Sequence, residues 1–143
     1  MIYADTSFLA SIYMPDANTP RAKQLLAGIT DALPFSALHR VELRNAIGLA
    51  VFQKRFTPTD AVAFWRDVEI DLAAGRLVAL SLIWGKMFRD AEILAGTQTP
   101  TVGSRSLDIL HVVSAQMLQT QEFLTFDARQ LALAGQLGIK VIS

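Results

Sequence analysis

Four acidic residues stand in apolar surroundings, where a carboxylate needs a specific partner. They are Asp5 in IYADTSFL, Glu42 in HRVELRNAIGLA, Asp108 in SLDILHVVSA and Asp127 in FLTFDARQLAL. A carboxylate withdrawn from water without a partner is costly, so such positions call for a cation or for hydrogen-bond donors. Mg²⁺ or Mn²⁺ would satisfy several carboxylates together, because both are hard cations that prefer oxygen ligands. The four residues taken together predict a divalent-metal site.

Each of the four acids also has a structural alternative. Asp5 and Asp127 could be N-caps of the helices that follow them, because aspartate is among the preferred capping residues. Asp108 could be a first-turn residue stabilised by the helix dipole. Glu42 could pair with a basic neighbour in HRVELR. Capping and metal binding can coexist at one carboxylate, so these alternatives do not exclude a site.

Other polar residues are candidates to support the acids. Thr6 and Ser7 follow Asp5 directly, Asn45 shares the helix face of Glu42 at a spacing of three, and Thr125 precedes Asp127 by two positions. His39 and His111 have no second histidine or cysteine at zinc spacing, so they predict no zinc site. His111 is expected to be structural or to face a substrate.

Short apolar runs alternate with longer helical patterns. The runs at 1–4, 33–35, 77–80, 122–125 and 139–142 predict five strands. Helices are predicted from near Thr6, over 36–55, after the Thr57-Pro58 start signal, and over 83–95, 104–119 and 128–135.

The alternation of strands and helices predicts an α/β fold with a parallel sheet of about five strands, covered by helices on both sides. In such a sheet the ligand crevice lies beyond the carboxyl ends of the strands. Asp5 and Asp127 both follow predicted strands, so we expect them at the same edge of the sheet.

Composition limits the class of protein. A chain of 143 residues is an ordinary size for one domain, and we expect a single domain over 1–143. No apolar stretch approaches the roughly 20 residues that span a bilayer. The absence of cysteine excludes disulfides and thiolate metal sites, and residues 1–14 lack the basic start of a signal peptide. Cytoplasm is therefore the expected compartment.

Net charge does not indicate a nucleic-acid partner, because the charges of 13 basic and 13 acidic residues cancel. The segment from Phe52 to Phe88 is rich in large apolar side chains, which we expect mainly in the core. Part of that segment could instead form a groove for a partner helix or a dimer contact. The members considered are Phe52, Phe56, Phe64, Trp65, Trp84, Met87 and Phe88.

The motifs together resemble the PIN-domain ribonucleases, particularly the VapC-type toxins of type II toxin-antitoxin pairs. The matching pieces are MIYADTSFL, VELRNA, RSLDILHVVSA and FLTFDARQLALAGQLGIKVI, which occur in order along the whole chain. The resemblance implies a PIN-like fold and a Mg²⁺- or Mn²⁺-dependent endoribonuclease. It also implies an RNA substrate, a cognate antitoxin protein and a homodimer.

The resemblance assigns roles to the four acids. Asp5 and Asp108 would be the most direct metal ligands, Asp127 would complete the site, and Glu42 would bind a metal ion or its water. Thr6, Ser7, Asn45 and Thr125 would support them. The RNA backbone would be held by basic residues at the rim, namely Arg40, Arg44, Arg105 and Arg129.

Three other functions are compatible with the residues. The first is an RNA-processing PIN nuclease without an antitoxin. The second is a phosphoacceptor signalling domain, for which the chain lacks a clear early acidic pair and a late strand-end lysine. The third is a non-catalytic interaction module.

Overall fold

A computed structural model describes all residues from Met1 to Ser143. Its strands are β1 (Ile2–Ala4), β2 (Leu33–Ser36), β3 (Leu77–Leu80), β4 (Glu122–Leu124) and β5 (Lys140–Ile142). Its helices are α1 (Thr6–Tyr13), α2 (Thr19–Leu26), α3 (Ala37–Phe52), α4 (Pro58–Ala73), α5 (Trp84–Val102), α6 (Ser106–Met117) and α7 (Ala128–Gln136).

The chain divides into two compact units. The first unit comprises residues 1–5 and 81–143, and the second comprises residues 6–80. None of the helices has the length and apolar character needed to cross a membrane.

The first unit contains a three-stranded parallel sheet in the order β1-β4-β5. Ala4 pairs with Leu124, and Leu124 pairs with Ile142, so all three strands end at the same edge. The Asp5 amide continues this ladder by donating to the Leu124 carbonyl at 2.9 Å. The residues that follow β1 and β4 are therefore neighbours at the carboxyl edge of the sheet.

An aromatic cluster joins α6 to this sheet. The Tyr3 ring stacks on Phe123 at a centroid distance of 5.4 Å, and its hydroxyl forms a 2.8 Å hydrogen bond with His111 Nδ1. All three side chains are completely buried. Burial of both polar groups is tolerated because they satisfy each other. His111 thus has the structural role that was one of its two predicted roles.

The second unit contains β2 and β3, which pair in parallel from Leu33 with Leu77 to Ser36 with Leu80. Helix α4 begins with a capping box, in which the Thr57 amide donates to Asp60 Oδ2 at 2.8 Å and the Asp60 amide donates to Thr57 Oγ1 at 3.1 Å. Pro58 lies at the first helical position, where its missing N–H has no intrahelical partner to lose. The predicted start signal is confirmed.

All five predicted strands are present, and every strand pairing is parallel. They form a three-stranded and a two-stranded sheet rather than one continuous ladder. The apolar runs identify strands, but strand partners depend on long-range packing that a local pattern does not record.

Helix α5 extends past its predicted end at residue 95 to Val102. Pro100 lies inside its last turns and removes one backbone donor. Gly103 ends the helix at φ 70°, a left-handed conformation that favours glycine, and its amide donates to the Thr99 carbonyl at 2.8 Å. Helix α2 was not predicted, and only Ala22 of its residues is buried.

The prediction that the Phe52-to-Phe88 segment lies mainly in the core is wrong for several members. Met87 is completely buried, but Phe52 is 82% exposed, Phe88 is 55% exposed and Trp84 is 38% exposed. Phe56, Phe64 and Trp65 are half-buried. Apolar character sets a preference for burial, while the turn of each helix decides which side chains face inward.

A buried tyrosine in the second unit makes stability depend on pH. Burial of Tyr13 and its 2.7 Å hydrogen bond to Asp71 Oδ2 raise the pKa of the Tyr13 hydroxyl above its ordinary value. Above about pH 10 the unfolded chain therefore releases this proton while the folded chain retains it. The free energy of unfolding must then fall as pH rises further.

When pH rises from about 9 to about 11, we expect the free energy of unfolding to fall less for Tyr13→Phe than for wild type, because phenylalanine has no proton to release. Urea unfolding of both proteins at the two pH values measures the difference. Equal losses in the two proteins would contradict the role of Tyr13.

Candidate functional site

Asp5 and Thr125 meet at the carboxyl edge of the three-stranded sheet. Both are completely buried, and each directly follows a strand in the pairing of β1 with β4. Thr125 Oγ1 donates to Asp5 Oδ2 at 2.8 Å. The parallel register therefore gives the buried Asp5 carboxylate a hydrogen-bond donor from a residue 120 positions later in the sequence.

Thr125 also connects Asp5 to Asp127. The Asp127 amide donates to Thr125 Oγ1 at 2.9 Å, so the hydroxyl accepts from one residue and donates to the other. Asp127 Oδ1 in turn accepts from the amides of Arg129 at 2.8 Å and Gln130 at 3.2 Å. The predicted capping role of Asp127 at the start of α7 is confirmed, and its second oxygen, Oδ2, makes no part of the cap.

Asp108 lies in the first turn of α6 and is 3% exposed. Its Oδ2 accepts from the Arg105 amide at 2.8 Å, which satisfies one of the unpaired donors at the helix start. This is the predicted first-turn position, and the positive end of the helix dipole favours a carboxylate there.

The Arg105 guanidinium joins Asp108 to Asp127. Its Nε lies 3.4 Å from Asp108 Oδ2, and a terminal nitrogen donates to Asp127 Oδ2 at 3.1 Å. Arg105 was predicted at the rim as an RNA contact, and its side chain is 63% exposed. The structure adds that this side chain reaches two of the four acids.

Sequence reasoning missed Gln130. This residue is 6% exposed, its Nε2 lies 3.4 Å from Asp108 Oδ1, and its Oε1 is buried without a hydrogen-bond partner. A carboxylate can face only the amide NH₂ group, so Oε1 must point away from Asp108. Gln130 follows the Asp127 cap by three residues, so its backbone amide lies at the start of α7. That spacing was the sequence signal that could have identified Gln130.

Glu42 belongs to the second unit, where it is half-buried on α3. Its Oε2 accepts from Thr6 Oγ1 at 2.9 Å, and Thr6 is bonded in the chain to Asp5. Thr6 is thus a hydrogen-bond partner of one predicted acid. Asn45 is exposed on α3, and the Ser7 carbonyl accepts from Ser11 Oγ at 3.2 Å.

Two of the predicted RNA-contacting arginines lie over one aromatic ring. The guanidinium carbons of Arg40 and Arg44 lie 5.3 Å and 4.2 Å from the Trp65 ring centre, which is cation–π distance. Arg40 also pairs with Glu69 at 2.5 Å. Arg129 of the first unit lies 4.0 Å from Asp127 Oδ2.

The donor chemistry of these side chains suits a hard divalent cation. Asp5, Asp108 and Asp127 supply carboxylate oxygens, and the buried Gln130 Oε1 is an acceptor with no donor. In the structure, no group of three or more acidic or histidine side chains is close enough together to hold a metal ion. Contacts at these acids include those of Arg105, Thr125, Arg129 and Gln130.

These observations describe an α/β fold whose strands all pair in parallel, with Asp5 and Asp127 just beyond the ends of two strands. The chain belongs to the PIN-domain family, whose model matches residues 2–142. The PIN-like fold predicted from the motifs is confirmed. Among curated proteins, none matches the chain significantly.

Solved structures share this fold at low sequence identity. VapC20 of Mycobacterium tuberculosis, described as a Sarcin-Ricin loop cleaving toxin, is 21% identical with a TM-score of 0.68, over 92% of this chain and 94% of that one. FitAcB from Neisseria gonorrhoeae is 19% identical with a TM-score of 0.68, over 100% and 97%. VapBC2 from Rickettsia felis, bound to a promoter DNA fragment, is 15% identical with a TM-score of 0.63, over 99% and 98%.

We expect Thr125→Val to destabilise the protein by about 1–3 kcal/mol, because valine keeps the shape but removes the donor to the buried Asp5 carboxylate. Urea unfolding measures the change. Thr101→Val is the matched control, since Thr101 is exposed near the end of α5 and substitutions at such sites stay within about 0.5 kcal/mol. If both variants lose the same stability, the Thr125 hydroxyl is not supporting Asp5.

Proposed function

We propose that this chain is a Mg²⁺- or Mn²⁺-dependent endoribonuclease that hydrolyses RNA phosphodiester bonds and acts as the toxin of a toxin-antitoxin pair. One observation carries the proposal. Arg105 joins the carboxylates of Asp108 and Asp127, and Thr125 joins the buried Asp5 carboxylate to the Asp127 backbone amide in the same unit. Membership of the PIN-domain family and the ordered VapC-like motifs support it.

The proposed metal ligands are Asp5, Asp108 and Asp127, with Glu42 binding the ion or its water as the resemblance implies. Buried carboxylates need a counter-charge, and Asp108 and Asp127 share the guanidinium of Arg105, with that of Arg129 4.0 Å from Asp127. When bound there, Mg²⁺ or Mn²⁺ would supply an activated water near neutral pH and offset the charge that grows on the phosphoryl oxygens.

The chain's own polar residues would orient these acids. Thr125 holds one oxygen of Asp5 through its 2.8 Å hydrogen bond, and Thr6 holds one oxygen of Glu42 at 2.9 Å. Fixing a ligand oxygen in advance lowers the cost of ordering it when the ion binds. Ser7 and Asn45 remain supporting candidates beside Asp5 and Glu42 in the sequence.

RNA is the proposed substrate, and arginines are proposed to hold its backbone. Arg40, Arg44, Arg105 and Arg129 each expose part of a guanidinium that can pair with phosphate. Such pairing neutralises phosphate charge and weakens as salt rises. It would also offset the repulsion between a phosphodiester and the carboxylates of the site.

We expect Asp5→Asn and Asp108→Asn each to lower the rate of Mg²⁺- or Mn²⁺-dependent RNA cleavage by more than about a hundredfold, the upper range for losing a residue that only supports a metal ligand. Asparagine keeps the shape of aspartate and removes its charge. Cleavage of a labelled RNA is followed in a metal titration, with thermal unfolding as the check on folding.

Glu92→Gln provides the matched control, because Glu92 is an exposed carboxylate on α5 and its loss should leave cleavage unchanged. Wild-type activity in both aspartate variants would refute the assignment of the site. Cleavage that continues undiminished in excess chelator would refute the metal dependence.

A small antitoxin protein and a second copy of this chain are the proposed partners, and the cytoplasm is the proposed compartment. Similarity of fold to FitAcB and to VapBC2, which is bound to a promoter DNA fragment, supports an antitoxin partner. Exposed Trp84 and Phe88 on α5 offer apolar area that a protein partner could cover.

We expect expression of the wild-type chain in a bacterial host to arrest growth, and expression of Asp5→Asn not to do so, because arrest requires RNA cleavage. Growth after induction and total RNA integrity measure the outcome. Cleavage in vitro without growth arrest, and without any small protein encoded beside this chain, would favour an RNA-processing nuclease that has no antitoxin.

A further inference from the structure

Arg105 is an exposed arginine whose guanidinium contacts two acids at once. Its guanidinium contacts carboxylates from two different elements, Asp108 in α6 at 3.4 Å and Asp127 before α7 at 3.1 Å. Both contacts use the Oδ2 atom of the acid. The Oδ1 atoms face Gln130, which donates its side-chain amide to Asp108 and its backbone amide to Asp127. For Asp127, Oδ2 is the oxygen that its helix cap does not use, whereas Asp108 Oδ2 also accepts from the Arg105 amide.

The exposures of the three side chains are unequal. The Asp108 and Asp127 side chains are 5% and 20% exposed, whereas the Arg105 side chain is 63% exposed. Carboxylates held away from water need a cation, so Asp108 would be poorly satisfied if Arg105 left without replacement, while Asp127 would keep only the Arg129 guanidinium at 4.0 Å. Arg105 itself can move into solvent at little cost, because most of its side chain is already hydrated. The acids are therefore fixed and the cation is exchangeable.

We propose that Arg105 is a resident counter-ion that competes with the divalent cation for Asp108 and Asp127. The inference rests on the proposed metal-binding function and deepens it. With no metal bound, Arg105 balances the two carboxylates and supports the folded state. Metal binding requires the guanidinium to leave at least one of them, so Arg105 weakens metal affinity. The displaced guanidinium stays beside the acids, where it can pair with an RNA phosphate.

A structural role and a competing role predict opposite signs. If Arg105 only positioned Asp108 and Asp127 for the metal, its removal would weaken metal binding. If Arg105 competes, its removal strengthens metal binding while it weakens RNA binding and lowers stability in the absence of metal. Ordinary damage to the fold cannot produce tighter metal binding, so the direction of the change identifies the role.

The experiment is a Mn²⁺ titration by calorimetry in the absence of RNA, on the full chain. Arg105→Gln should lower the Kd for Mn²⁺ about three- to fivefold, the range for losing a partly exposed ion pair. Arg105→Lys, which keeps the charge but not the forked geometry, should fall between Arg105→Gln and wild type. Arg89→Gln is the matched control, since it removes an exposed arginine from α5 in the same unit, and its Kd should equal that of wild type.

Thermal unfolding provides a second readout in case a variant is unstable. Arg105→Gln should have a lower Tm than wild type in chelator and a larger rise in Tm on adding Mn²⁺, because tighter binding to the folded state stabilises it more. Asp108→Asn should abolish the Mn²⁺ signal, which assigns the binding to this site.

The outcomes separate this inference from the proposed function. If wild type binds Mn²⁺ through Asp108 but Arg105→Gln binds it equally or more weakly, the competing role is overturned and the metal site stands. If wild type binds no Mn²⁺, both the inference and the proposed metal dependence are overturned. A tighter Kd in Arg89→Gln equal to that of Arg105→Gln would assign the effect to net charge and also overturn the inference.

Discussion

The hydroxyl group of Thr125 is the interaction on which the site depends. Parallel pairing of β1 with β4 brings Asp5 and Thr125 together at the carboxyl edge, and the hydroxyl then donates to Asp5 and accepts from the Asp127 amide. Without such a donor, a completely buried carboxylate at position 5 would be costly. The same hydroxyl holds the backbone of Asp127, where α7 begins. One side chain thus links two acids and a helix start.

The acids around this hydroxyl divide their oxygens between helix starts and side-chain partners. Asp127 and Asp108 each use one oxygen for helix-start amides, through Oδ1 in Asp127 and Oδ2 in Asp108. Capping offsets part of the cost of keeping these carboxylates out of water. The guanidinium of Arg105 offsets a further part and is the most exposed member of this group. Asp127 caps α7 with one oxygen, and its other oxygen contacts Arg105.

Much of the fold follows from local patterns, because periodicity and turn chemistry are properties of neighbouring residues. Thr57 and Asp60 form their capping box, and all five strands lie where apolar runs occur. The division of the strands into sheets and the exposure of Phe52 and Phe88 do not follow. They depend on which element packs against which, and a helix such as α3 or α5 is apolar on more than the face it buries.

The sequence by itself determined which acids are unusual, since Asp5 and Asp108 stand among apolar residues and are buried. It also determined the order of motifs that indicates the PIN fold. Only the tertiary structure decided what these acids contact. The pairing of Thr125 with Asp5, the reach of Arg105 to Asp127 and the burial of Gln130 beside Asp108 join residues from separate elements. Such contacts arise from strand register and helix packing, which act across the chain and leave no local pattern in the sequence.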